Sequence, residues 1–388
     1  MSSEEDTERS ALRKVTIAVP YLPPLEEFIP FLEDIWQRKW LTNAGPYHER
    51  LEAALSEYLG VPHVSLFNNG EIALVVALRA LELSGDVITT PFSFVGTSSA
   101  LLWSGLRPVF ADIDPVTLNL DPAATLSCLS PEVAAILPVH CYGRPADVHA
   151  FDALGKRHQI PIIYDGAHAF GVSVHGQSVF SFGDASIVSF HATKLFNTFE
   201  GGAVVSSTAE MKASVDRMRN FGIDDEVSAS SVGINGKMSE ISAAFGLLQL
   251  THLSRNLSAR EVIARIYDQE LGLVAGIRSI GAIQGNYSYY AIMVEPHYPL
   301  SRDQLYESMK SVGILSRRYF FPLIADLKPY RGLPGASELP VARGAAGKIL
   351  CLPIHANMTA ADARYVSDHI SSRGRNGSYR NNTNVSSL

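Results

Sequence analysis

Ser189-Phe190-His191-Ala192-Thr193-Lys194 carries an apolar run, ASIVSF (185–190), into a turn, and Glu200-Gly201-Gly202 opens a second run, GAVVS (202–206), a few residues later. Too little chain separates these two strands for a helical crossover, so the pair is expected to be antiparallel. Upstream lie five more β-rich runs: HVSLF (63–67), DVITTPF (86–92), RPVFADI (107–113), AAILPVH (134–140) and PIIYDG (161–166). They alternate with helical segments such as EIALVVALRALEL and DVHAFDALGKRHQ. Continuous apolar strands separated by helices predict a mostly parallel sheet covered on both faces. The expected fold class is therefore α/β, with a large domain built on seven strands.

A long amphipathic stretch from Ser239 leads into a remainder that mixes the strand-like YSYYAIMVEP, the helix-like SRDQLYESMKSVG and a Pro-rich loop, which predicts a small C-terminal α+β domain. At 388 residues the chain exceeds what one core normally serves. The expected boundaries are an arm over 1–15, a large domain over 16–255, a small domain over 256–371 and a polar tail over 372–388. Both ends are expected to be flexible because they lack apolar periodicity.

Hydrophobic residues are 46% of the chain and charged ones 18%, with a formal net charge of −7. This balance offers no global attraction to nucleic acid. Three dispersed cysteines, Cys128, Cys141 and Cys351, support neither a disulfide framework nor a metal site, and point to a reducing cytoplasm. An acidic start, MSSEEDTERS, is unlike a signal peptide, and no run is apolar enough to predict a membrane span.

Lys194 follows an apolar strand, where desolvation can bring an amine toward neutrality, and Asp165 ends another strand in Tyr164-Asp165-Gly166-Ala167-His168. A lysine that can form a Schiff base and a carboxylate for a pyridine nitrogen are what pyridoxal 5'-phosphate requires. Either residue alone would more often be a solvated surface cation or a strand-end cap. Asn68-Asn69-Gly70-Glu71 precedes a helix, so the Gly70 and Glu71 amides suit a phosphate, although a plain capped turn has the same sequence. Ser189 could add a hydroxyl, His168 a bond to the phenolic oxygen, and Phe94 a stacking face.

With these spacings the chain resembles the nucleotide-sugar aminotransferases of fold-type I, the DegT/StrS type. The resemblance runs from about Tyr21 to about Ala360 and includes Leu41-Thr42-Asn43-Ala44-Gly45-Pro46 and Pro138-Val139-His140-Cys141-Tyr142-Gly143. It implies pyridoxal phosphate attached to Lys194, with Asp165 on the ring nitrogen, His168 on the phenolic oxygen, Ser189 on the phosphate and Phe94 on the ring. It implies a homodimer with shared sites, Asn235 reaching the partner's phosphate, and a nucleotide-sugar pocket lined by Tyr319, with Arg318 and Lys237 toward the diphosphate. The implied reaction moves an amino group from L-glutamate to the 4-keto carbon of a dTDP-linked 4-keto-6-deoxyglucose, for surface polysaccharide such as lipopolysaccharide O-antigen. Amination at the 3-position and a catalytically silent binding protein of the same fold are the alternatives; Lys194 argues against a dehydratase of this fold, in which histidine replaces the lysine.

One residue departs from the family pattern. Where the family usually has Thr or Ser, this chain has Glu71, and a carboxylate about 4 Å from a phosphate costs on the order of 4 kcal/mol at an effective dielectric near 20. Its side chain is expected to point away, leaving backbone amides to hold the phosphate, or the cofactor to bind more weakly.

Overall fold

A computed structural model describes residues 13–284 and 286–381. All seven expected strands form: β1 (Val64–Phe67), β2 (Asp86–Thr89), β3 (Arg107–Phe110), β4 (Val133–Leu137), β5 (Ile163–Asp165), then, after a two-strand hairpin β6 (Ser173–Val174) and β7 (Gln177–Ser178), β8 (Ala185–Ser189) and β9 (Gly202–Ser206). Strand β2 pairs in parallel with β3 and β4, and β5 in parallel with β8. Parallel bridges Ile136–Ile162 and Val139–Asp165 join the two halves. The order is thus β3-β2-β4-β5-β8-β9-β1, with β9 antiparallel to both neighbours.

Alternate residues of these strands enter different cores. After helices α1 (Leu25–Arg38) and α2 (Pro46–Leu59), Val87, Ala135 and Ile163 pack under helices α3 (Gly70–Ala80) and α4 (Gly96–Trp103); beyond α5 (Pro122–Ser127), Ile88, Ile136 and Tyr164 face Val148 and Phe151 of α6 (Val148–His158), and α7 (Ala209–Arg219) follows β9. Burial on both faces accounts for the unbroken apolar runs of the sequence.

Helix α8 (Glu240–Leu271) spans the expected 255/256 division without a break. Its Phe245, Leu248 and Leu253 belong to the large core, and its Ile263, Tyr267 and Leu271 to a C-terminal core. The latter is built on an antiparallel sheet of β10 (Ile277–Gly281), β11 (Tyr290–Val294) and β12 (Ile349–Leu352), with α9 (Arg302–Ser311), α10 (Pro340–Lys348) and α11 (Ala360–Asn381).

Two expectations at the chain ends need correction. Val15, assigned to the loose arm, is buried in the C-terminal core and its N–H donates to Gly313 O at 2.9 Å; the arm's residues 1–12 lie outside the described residues. The tail expected from Ser372 is helical to Asn381, because α11 buries Ala363, Val366 and Ile370, and Gly374 lets it approach Val274 and Tyr298 closely. Residues 382–388 lie outside the described residues. Among the described residues no helix is long and apolar enough to cross a membrane, and no cluster of three potential metal ligands occurs.

Candidate active site

One edge of the large sheet collects the chemistry. Strand β5 ends on Asp165, β8 ends on Ser189, the reversed β9 begins at Gly202 beside it, and β1 and β2 lead out toward α3 and α4. The carboxyl edge of parallel strands is where open α/β sheets bind ligands, since loops and helix N-termini converge there.

Lys194, half-buried in the turn after β8, has its pKa pulled down to about 8, chiefly by burial, with the Asp165 charge opposing. Asp165 is buried, and desolvation raises its pKa while three groups favour its ionised form. Thr97 Oγ1 donates to Oδ2 at 2.7 Å, the Ala167 N–H donates to Oδ1 at 3.0 Å, and Lys194 contributes its charge. A desolvated carboxylate of this kind gains most from a further cation or shared proton, as a protonated pyridine nitrogen provides.

Around Gly70 the backbone is packed as a cradle. Asn69 Oδ1 caps α3 by accepting from the Ile72 N–H at 2.8 Å, and leaves the Gly70 and Glu71 amides without a hydrogen bond among the described residues. A Cβ on Gly70 would stand 3.1 Å from Ser189 Cβ, and one on Gly202 would stand 2.6 Å from Gly70 N, so the helix start, Ser189 and β9 meet only because glycines occupy these places. A dianion fits here, against free amides and a helix N-terminus. Glu71 is exposed and lines a wide surface groove with Ile72, Val75 and Trp103.

His168 is buried, its Nδ1 has no partner among the described residues, and its pKa lies well below the ordinary value, first through burial and then through the Lys194 and His140 charges. The orphaned nitrogen and the open amides of α3 are the two observations by which these residues fit pyridoxal phosphate. The ring of His168 lies parallel to Phe320 at 5.9 Å, and Phe320 in turn is stacked on Tyr142 at 5.7 Å.

Tyr319 lines a small cavity of about 40 Å³ with Lys194, Ser288, Tyr289 and Cys351. Phe94 is 62% exposed, in the turn that enters α4, and so leaves its face open. Asn235 is exposed; among the described residues only its backbone is engaged, bridging Asn220 and accepting from Asn68 Nδ2 at 3.5 Å. The two candidate cations have partners within the chain. Arg318 donates to Asp303 Oδ1 at 2.7 Å and lies over the Tyr306 ring, while Lys237 donates to Asn220 Oδ1 at 2.8 Å and lies over Phe221.

Sequence reasoning missed Thr97, Tyr289 and Phe320. Thr97 sits at the start of α4, where a hydroxyl reads as an ordinary helix-start residue. Tyr289 precedes β11 within YSYY, where an aromatic reads as core, and Phe320 comes from the Pro-rich loop of the C-terminal domain. Only the position of Thr97, just beyond the carboxyl end of β2, was available as a signal.

Sheet order, reversed β9 and the lysine after β8 define a fold-type I pyridoxal phosphate-dependent enzyme. The chain belongs to the DegT/DnrJ/EryC1/StrS aminotransferase family, whose profile matches residues 25–371. It is 48% identical over 357 residues to a dTDP-4-amino-4,6-dideoxy-D-glucose transaminase of Shigella dysenteriae, covering 91% of this chain and 97% of that protein. A GDP-perosamine synthase of Caulobacter vibrioides is 30% identical over 91% of this chain and 96% of its own. Among solved structures, DesI, determined in the presence of its TDP-sugar product, superposes with a TM-score of 0.88 at 32% identity, covering 95% of this chain and 96% of that one.

Proposed function

We propose that the protein transfers an amino group from L-glutamate to the 4-keto position of dTDP-4-keto-6-deoxy-D-glucose, giving dTDP-4-amino-4,6-dideoxyglucose. The observation that carries the substrate is the 48% identity, along nearly the whole of both chains, to a transaminase named for that product. Pyridoxal phosphate, when bound, supplies an electron sink for the carbon whose proton is removed.

The chain's own residues then have these parts. Lys194 would hold the cofactor, and burial, which pulls its pKa down to about 8, favours the neutral amine that can accept and return a proton at Nζ. Asp165 would keep the ring nitrogen protonated, His168 would meet the phenolic oxygen, and Ser189 with the Gly70 and Glu71 amides would hold the phosphate. Phe94 covers the ring, and Tyr319 faces the sugar nucleotide. Arg318 and Lys237 reach the diphosphate by exchanging their present partners, Asp303 and Asn220.

A homodimer with shared sites is part of the proposal. Trp103 and Val232, 85% and 93% exposed, line one surface groove with Gly233 and Ile234, which lead directly to Asn235, an apolar patch suited to a second copy. Free thiols at Cys128, Cys141 and Cys351 support a cytoplasmic location, and the amino sugar product suits lipopolysaccharide O-antigen synthesis.

The test is the visible spectrum of the full chain with pyridoxal phosphate. The band of lysine-bound cofactor should form, disappear with L-glutamate and return with dTDP-4-keto-6-deoxy-D-glucose; Lys194→Ala should never show it. Return only with a 3-keto sugar would favour amination at that position, and no band at saturating cofactor would favour the silent binding protein.

A further inference from the structure

The geometry points to Tyr289 as the positioning residue for Lys194, its phenol fixing the direction of the amine through the hydrogen bond between them. This rests on the reading of Lys194 as the reacting amine. The bond, Nζ to the phenolic oxygen at 3.3 Å, is the one hydrogen bond that this amine makes among the described residues. A lysine otherwise carries four freely turning side-chain bonds, so a single fixed partner decides where its nitrogen points.

The phenol is itself held on three sides. The Tyr289 ring is tilted against His168 at 4.8 Å and against Tyr142 at 5.6 Å, both from the large domain, and meets Tyr319 edge-on at 6.2 Å from the C-terminal loop. Ring–ring packing of this kind leaves the hydroxyl little choice of direction. Tyr289 thus joins the C-terminal domain to the reacting amine, and the amine's direction depends on how the domains are seated.

Its hydroxyl stays protonated, because burial first, and then the neighbouring acidic groups, hold it well above the usual phenol range. A neutral phenol accepts from an ammonium more strongly than it donates to a free amine, since the first bond is charge-assisted. Removing the oxygen therefore lowers the pKa of Lys194. The other titratable groups facing the pair are Asp165, His168, Tyr142, Tyr319, Cys141, Cys351 and, on the far side of Tyr289, Arg260.

The test measures the titration of Lys194 in the full-length chain freed of cofactor, by trace acetylation with acetic anhydride across pH 6 to 10 and mass spectrometry of the Lys194 peptide. Tyr289→Phe should lower the midpoint by roughly one pH unit, a tenfold change in the proton equilibrium. Tyr319→Phe, which removes a neighbouring phenol not bonded to the amine, should leave it in place. An unchanged midpoint in a folded Tyr289→Phe protein overturns the assignment, since Phe keeps the packing and a merely structural role would not move the titration. Should that variant fail to fold, 3-fluorotyrosine at position 289 keeps the shape and weakens the oxygen as an acceptor; it must lower the midpoint too, and no movement overturns the assignment. Because the measurement uses no cofactor or sugar, its outcome is independent of the transaminase reading, which fails instead if wild type never binds pyridoxal phosphate through Lys194.

Discussion

Thr97 Oγ1 stands 2.7 Å from Asp165 Oδ2, and Ser93 Oγ stands 3.0 Å behind Thr97. A carboxylate can only accept, so the Thr97 proton goes to Asp165 and Ser93 must donate to Thr97. The direction of the chain is fixed by chemistry, and it ends on the residue proposed for the pyridine nitrogen. Helix α4 therefore does more than cover the sheet: its first turn orients a buried carboxylate from a strand two positions away.

Thr97→Val keeps the volume and removes this donor. A hydrogen bond to a charged group is worth ~1.5–3 kcal/mol, so pyridoxal phosphate should bind about tenfold more weakly or worse. Thr97→Ser should recover most of the loss. Equilibrium dialysis of the cofactor measures both, and equal affinity in Thr97→Val and wild type would detach Thr97 from the role of Asp165.

Gly202→Ala tests the cradle. Its Cβ would stand 2.6 to 2.8 Å from backbone atoms of Gly70 and Asn69, which cannot swing aside as a side chain can. Overpacking of this kind costs about 1–3 kcal/mol and should push the start of α3 off Ser189. The expected result is a lower melting temperature together with weaker cofactor retention. Gly344→Ala, where a Cβ meets nothing within 4 Å, is the control and should not lower the melting temperature.

Glu71→Thr restores the residue type usual in the family. A carboxylate pointing at the phosphate would be relieved by this change, with a gain in affinity of two or more orders of magnitude on the Coulomb scale of about 4 kcal/mol. The exposed side chain beside Val75 and Trp103 predicts instead a change in cofactor dissociation constant of less than about threefold. Fluorescence titration decides between them, and a large gain would mean that Glu71 faces the phosphate.

The seven strands were legible because burial on both faces writes unbroken apolar runs, and the antiparallel final pair because a short connection permits nothing else. Lys194 and Asp165 were legible as an amine and an acid placed at strand ends. Other features had no local signal. Gly374 and the polar residues around it read as a tail, yet the helix continues there because the burial of Val366 and Ile370 anchors the preceding turns. Tyr289 and Phe320 reach the site from a domain far along the chain, and nothing in YSYY or RRYFFP tells an active-site wall from ordinary core. Arg318 was legible as a cation but not as the partner of Asp303, which is a matter of tertiary placement.

Acid sensitivity should come from buried neutral histidines, His140 first. It is fully buried and stacked on Tyr164 at 4.8 Å, and its Nδ1 accepts from the Ala146 N–H at 3.0 Å, so the neutral ring carries its proton on Nε2. Burial pulls its pKa down to about 3, and that of His48, also buried, to about 4. Below the ordinary histidine value of about 6.5 the unfolded chain binds a proton that the folded His140 refuses, so stability is full above pH 6.5 and falls as the pH drops toward the folded value. At pH 5 this amounts to about 2 kcal/mol for His140 alone. Urea melts at pH 5, 6 and 7 should show stability rising with pH, and in His140→Gln the slope between pH 5 and 6 should be shallower by about 1.2 kcal/mol per unit. An identical slope in the variant would mean that His140 takes up its proton without unfolding.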